Sequence, residues 1–125
     1  MHGMQVILSS FGYKHGMPDA ETILDVRFLP NPYYVPELKE GTGLEARVAD
    51  YVLCSDAARA FLVKFVPFFL QFLQSHAAAG RLEVRLAVGC TGGRHRSVAF
   101  VEEMKKILAS HRFATQVVHR DKDKE

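Results

Sequence analysis

The sequence predicts an α/β fold: a single layered domain over 1–125, with a mixed sheet of about four strands, flanking helices and a C-terminal β-α-β unit. Three observations predict it. A chain of 125 residues, 48% hydrophobic and 24% charged, can bury one core without a disulfide framework. Short apolar runs of strand character alternate with longer runs at helical spacing. The last third reads as buried strand, glycine-rich turn, helix and strand, the pattern of a right-handed parallel crossover.

Residues 4–10, MQVILSS, form a predicted strand that ends in small residues. Residues 11–18 follow as a loop, broken by two glycines and a proline. A second strand is predicted over 22–29, where Asp25 and Arg27 alternate with apolar neighbours, and Pro30-Asn-Pro stops it. Leu44, Val48 and Val52 share one face of a short helix over 44–53. Ser55 is placed to cap a long helix over 56–79 that Gly80 ends, and Pro67 should kink or divide that helix. Its phenylalanines 61, 65, 68, 69 and 72 recur at helical spacing and are expected in the core. A strand over 82–88, a helix over 98–110 and a strand over 114–118 complete the chain.

Composition excludes several function classes. Two cysteines, Cys54 and Cys90, are too few for a secreted disulfide scaffold and are read as reduced thiols of a cytoplasmic protein. The start, MHGMQVILSS, carries no basic segment followed by a long apolar one, so no signal peptide is expected. The longest apolar stretch, 57–73, is interrupted by Arg59, Lys64, Pro67 and Gln71, so no membrane span is expected. No metal or cofactor is expected: neither the cysteines nor His111 and His119 have ligand spacing, and no Walker-type phosphate loop is present. Formal net charge is only +2, but residues 94–125 hold eight basic and five acidic groups. That excess suggests a positive face.

One segment carries recognisable chemistry, the loop 90–97. Gly92 and Gly93 let backbone amides approach a ligand, and a helix beginning near Ser97 adds free N–H groups and a positive dipole end. Together they build an anion site, most naturally for phosphate, at the carboxyl end of the sheet. Arg94 and Arg96 add forked cationic donors, and Thr91 and Ser97 add hydroxyls. Cys90 and Arg96 also spell C-x5-R followed by Ser97, the phosphate loop of cysteine phosphatases, in which the thiolate attacks phosphorus. Gly89 stands where those enzymes usually have histidine, and no acid loop is evident. Two readings therefore stand beside each other: a non-enzymatic phosphate site, with Cys90 a small buried residue, and a cysteine-dependent phosphomonoesterase. Asp25 and Arg27 fit an ion pair as well as ligand contact, and Lys14 and His15 are placed where they can reach a phosphate.

Four separate motifs carry a family resemblance: Ser10-Phe-Gly-Tyr-Lys-His-Gly, Asp25-Val-Arg-Phe-Leu-Pro-Asn-Pro, Thr42-Gly, and Gly89-Cys-Thr-Gly-Gly-Arg-His-Arg-Ser-Val. In order, and over nearly the whole chain, they resemble the C-terminal domain of the RNase adapter protein RapZ family. The resemblance implies a cytoplasmic bacterial adapter that is not itself a nuclease. Its full-length form carries an N-terminal P-loop ATPase domain and presents regulatory small RNA to a ribonuclease. The C-terminal domain is implied to bind that RNA and the amino-sugar phosphate glucosamine-6-phosphate.

Carried over as ligand-binding are Ser10, Lys14, Asp25, Arg27 and Asn31, and in the phosphate loop Cys90, Thr91, Gly92, Gly93, Arg94, His95, Arg96 and Ser97. Expected RNA contacts are Arg94, Arg96, Lys105, Arg112, Arg120, Lys122 and Lys124. The chain departs from the family in three ways. It begins almost where the C-terminal domain begins, Tyr33 replaces a histidine of some members, and Asp121 and Asp123 make the tail more acidic than in RNA-binding members. Reduced RNA affinity is expected. The expected partners are thus a phosphorylated small molecule and RNA, with a separate ATPase or ribonuclease and a second copy of the chain also admitted.

Overall fold

The computed structural model describes residues 3–125; Met1 and His2, the first residues of the stretch read as carrying no signal peptide, lie outside them. Four strands, β1 (Gln5–Gly12), β2 (Thr22–Asp25), β3 (Glu83–Cys90) and β4 (Ala114–His119), form one sheet in the order β2-β3-β1-β4. Three helices accompany them: α1 (Ala46–Leu53), α2 (Asp56–Ala78) and α3 (Arg96–Ser110). Single 3-10 turns cover Tyr13–His15 and Pro32–Tyr34. The layered α/β fold and its four strands agree with the sequence. All three pairings are parallel, so the sheet is uniform where a mixed one was expected. The reason is topological: β1 and β2, and β3 and β4, are not neighbours, and β2 and β3, which are, are joined by a long connection that holds α1 and α2, so no tight hairpin forms and each connection returns the chain to the same end.

Register explains the core. Val6 pairs with Val84, Leu8 with Leu86 and Ser10 with Val88, so these alternate residues share one face. Helix α3 packs along that face against β1, β3 and β4, and α1 packs on α3. The core joins the face to Phe100, Met104 and Leu108 of α3 and to Phe69 and Leu73 of α2. The opposite face keeps Ile23 and Val118 exposed.

The ends of the elements carry the corrections. The second strand stops at Asp25, not at residue 29. The Asp25 carboxylate accepts from the Arg27 amide at 2.9 Å and turns the chain, so Arg27 is not a strand residue. The first and third strands run on to Gly12 and Cys90, into the segments read as turns. Ser55 does cap α2, its hydroxyl accepting from the Ala58 amide at 3.2 Å. Pro67 does not divide α2, which runs unbroken from Asp56 to Ala78. Pro67 and Val63 lie on the exposed side, where water can take the carbonyl that proline leaves unpaired. Of the five α2 phenylalanines expected in the core, Phe69 is buried and Phe61, Phe65 and Phe72 pack against the core, whereas Phe68 is 62% exposed.

Candidate functional site

A wholly parallel sheet brings the ends of all strands to one edge, so Gly12, Asp25, Cys90 and His119 finish together. At that edge the connections leaving the neighbouring strands β1 and β3 head for opposite sides of the sheet and have to cross. They cross backbone on backbone. A Cβ at Gly12 would lie 2.4 Å from the carbonyl of Gly92, and one at Gly93, whose φ is +79°, would lie 2.6 Å from the nitrogen of Gly12. The Lys14 amide then donates to Thr91 O at 3.1 Å. A second close approach sets Gly43 against the start of α3, 2.4 Å from the Ala99 nitrogen for a Cβ there.

Three consecutive loop residues tie surrounding segments to the crossing. Arg94 Nη2 donates to Glu40 O at 2.8 Å. His95 Nε2 donates to Lys39 O at 3.0 Å, and burial lowers the pKa of the ring, which keeps it neutral. Arg96, buried at 6% exposure, donates through Nη1 to Arg27 O at 2.8 Å and through Nη2 to Thr91 Oγ1 at 3.4 Å. Its Nε is buried with no hydrogen-bond partner among the described residues. All three acceptors of Arg96, including Leu29 O, are neutral oxygens. None of the backbone amides of Gly92, Gly93, Arg94, His95 and Arg96 donates a hydrogen bond among the described residues.

Around the loop lies a cleft of about 680 Å³, within the size range of small-ligand sites. Of the expected residues, Cys90, Thr91, Gly92, Arg94, His95, Arg96, Lys14 and Asn31 line it, as does Lys124 from the expected RNA contacts. Cys90 is 2% exposed; its thiol donates to Ser97 Oγ at 3.2 Å and accepts from the Ser97 amide at 3.4 Å. Both contacts tie the end of β3 to the start of α3, and nothing around Cys90 favours the phosphomonoesterase reading.

Other expected residues sit elsewhere. Gly93 is in the crossing beneath the cleft and Ser97 is wholly buried. Ser10 faces the core, its hydroxyl 2.7 Å from His119 Nδ1, while His119 Nε2 lies 2.7 Å from Glu102. Ser10 therefore bonds β1 to β4 instead of lining the cleft. Asp25 and Arg27 also miss the cleft lining; they pair with each other at 2.7 Å, the guanidinium stacking over Tyr13 at 3.9 Å. Hydrogen bonding from Arg27 holds the Asp25 carboxyl below its usual range. Nor do the basic residues form one face. Lys105 and Arg112 lie toward and beyond the far end of α3, and 15 residues at 1.5 Å rise put that end roughly 22 Å from the loop. Arg120 is engaged with Asp121 and Lys122 with Asp123.

Sequence reasoning missed part of the cleft. Tyr33 and Tyr34 form its aromatic rim and Lys39 Nζ lies 4.6 Å over the Tyr33 ring. The Asn31 carboxamide positions the pair by accepting from the Tyr33 amide at 3.1 Å, and Asn-Pro before two tyrosines was the available signal. Asp121 was missed as an anchor. Fully buried, it accepts from the Gly12 amide at 2.8 Å and pairs with Arg120 and Lys124. Burial alone would raise its pKa, but those three bonds outweigh it and hold the carboxyl well below the ordinary range.

Among the described residues, no group of three or more His, Cys, Asp or Glu side chains is placed to hold a metal ion, and no helix is long and apolar enough to cross a membrane.

The chain is similar over nearly its whole length to a set of bacterial proteins. A nucleotide-binding protein of Lactiplantibacillus plantarum is 47% identical over 116 residues, 92% of this chain and 39% of that protein. A nucleotide-binding protein of Geobacter sulfurreducens is 46% identical over 122 residues, 97% of this chain and 43% of its own length. One from Caldicellulosiruptor saccharolyticus is 42% identical over 123 residues, 98% and 42% respectively. The chain thus spans about two fifths of the length of the curated relatives it matches. The family model described as the RapZ C-terminal domain matches residues 4–123, and this chain belongs to that family.

Proposed function

We propose that this chain is a regulatory binding domain that holds a phosphorylated small metabolite in the cleft at the carboxyl edge of the sheet, and that it is not an enzyme. Membership of the family, and the nucleotide-binding proteins among its relatives, support a regulatory binding role. The observation that carries the ligand class is Arg96. A guanidinium buried at 6% exposure, with Nε unpartnered among the described residues, only neutral hydrogen-bond acceptors, and a nearby Asp25 carboxylate already paired with Arg27, is placed to take an anion that completes its surroundings. The undonated amides of residues 92–96 and the exposed Lys14 beside them supply further donors of the kind phosphate takes. Glucosamine-6-phosphate, implied by the family resemblance, is the first ligand to test, and nucleotides follow from the names of the relatives. RNA is the second proposed partner, bound through phosphate contacts of Lys124, Lys122 and Arg120 and weakened by the neighbouring acids. Such binding falls steeply with salt. A ribonuclease or a separate ATPase that receives the bound RNA belongs to the same reading. A cytoplasmic setting accords with two free thiols.

Calorimetric titration with glucosamine-6-phosphate, with ATP and with inorganic phosphate tests the reading. Saturable binding of at least one phosphate ester, weakened several-fold in Arg96→Lys, is the expected result. The lysine keeps the charge but loses the fork. Absence of binding to every phosphate compound would overturn it.

A further inference from the structure

Lys124 stands between two anion-binding positions. Its Nζ lies 2.8 Å from Asp121 Oδ1, yet half its side chain is exposed and it lines the cleft with Lys14 and Arg94. Asp121 is provided for without it. Arg120 donates to that carboxylate through both Nε and Nη2, and the Gly12 amide donates at 2.8 Å. Arg120 is itself anchored, its Nη2 also donating to Gly16 O at 2.7 Å. Departure of Lys124 would therefore leave a buried carboxylate that still has a guanidinium fork and an amide, so the usual penalty for an uncompensated buried charge does not arise. A phosphate monoester bound on the loop offers several terminal oxygens and up to two charges, a stronger attractor for an ammonium than a carboxylate already shared among three donors.

We propose that Lys124 exchanges Asp121 for the phosphate of the bound metabolite, drawing residues 122–125 over the cleft as a strap while Asp121 stays fixed on the glycine crossing. This deepens the ligand reading given above and rests on it. The present state is the open one, with the Lys124 amide donating to Asp121 O at 3.0 Å. Asp121 also touches the loop from below: a Cβ at Gly93 would lie 2.9 Å from the Asp121 Cβ, so the anchor of the strap and the floor of the site are one residue.

The test titrates inorganic phosphate and glucosamine-6-phosphate into the wild-type chain, Lys124→Gln and Lys106→Gln. Lys106 is an exposed lysine on α3 whose removal changes net charge equally. Lys124→Gln is expected to weaken binding about fivefold or more, and Lys106→Gln by less than about twofold. The side-chain carboxyl carbon resonance of Asp121 supplies a readout that a merely structural lysine would not move. It should shift on ligand saturation in the wild type and stay in place in Lys124→Gln. Wild-type binding with equal affinity in Lys124→Gln, or with a stationary Asp121 resonance, would overturn the exchange and leave the ligand reading intact. Failure of the wild type to bind either compound would overturn both.

Discussion

The glycine crossing at the carboxyl edge and the phenylalanine-rich helix α2 are built on opposite terms. At the crossing, backbones touch: Gly12, Gly92 and Gly93 leave no room for a Cβ at two of three positions, and charged groups, Arg96 and Asp121, are buried around them. In α2, side chains touch. Phe61, Phe65, Phe69 and Phe72 stack in series, with centroid distances of 5.2–5.7 Å between successive stacked rings, and one flank of the helix stays in solvent. Side-chain contacts relax when an atom is added or lost, because rotamers adjust. Backbone contacts cannot, because the peptide has nowhere to move without unpairing the ladder. The region proposed to bind is therefore built on the contacts that tolerate least change.

The contrast breaks first at Gly12. Gly12→Ala sets a methyl 2.4 Å from the Gly92 backbone and is expected to destabilise the fold by about 4 kcal/mol or more, read as a lost or strongly lowered denaturation midpoint. A midpoint near wild type would show that the crossing can separate. The core side of α2 comes next. Phe69→Ala should cost about 3–4 kcal/mol, whereas Phe68→Ala, one residue earlier and 62% exposed, should cost under about 1 kcal/mol. Equal losses in urea denaturation would contradict the division of the helix into a core flank and a solvent flank.

Asp121 sharpens the comparison through pH. Its folded pKa is depressed below the ordinary 3.8, so its contribution is present above that value and is lost as pH falls below about 4. Asp121→Asn should cost about 2–3 kcal/mol at neutral pH and flatten the acid limb of the stability profile. An unchanged acid limb would assign the loss to other carboxylates. The smallest effect belongs inside the loop itself. Gly92→Ala meets nothing nearer than Lys14 Cε at 4.0 Å and should move stability by less than about 0.5 kcal/mol, isolating the demand for glycine at positions 12 and 93.

Much of the molecule was legible before its structure. Strand alternation, the Ser55 cap and Gly80 marked elements correctly, because short-range hydrogen bonding and burial of one face act within a few residues. The loop 90–97 was legible as a strand, glycine turn and helix start because the three are consecutive, and the anion site proposed there rests on that layout. Ser10 was misplaced for a reason of register: as an alternate strand residue it faces the core with Val6 and Leu8, a matter set by pairing with β3. Arg94 and His95 were read as ligand-binding, and both line the cleft, but no local pattern showed what else they hold. Their side chains hold the carbonyls of Glu40 and Lys39, more than fifty residues earlier in the chain.

By itself the sequence determined the α/β class, the element types, the glycine loop with its basic residues and the four family motifs, all features carried by neighbouring residues. Only the tertiary structure decided that the sheet is parallel throughout, that the β1 and β3 connections cross, and that Tyr33, Asp121 and Lys124 belong to the same site as Cys90. Those facts depend on strand order, β2-β3-β1-β4, which arises from how whole faces pack against α3. No local pattern encodes it, because the free energy that selects the order is summed over contacts between segments far apart in the chain.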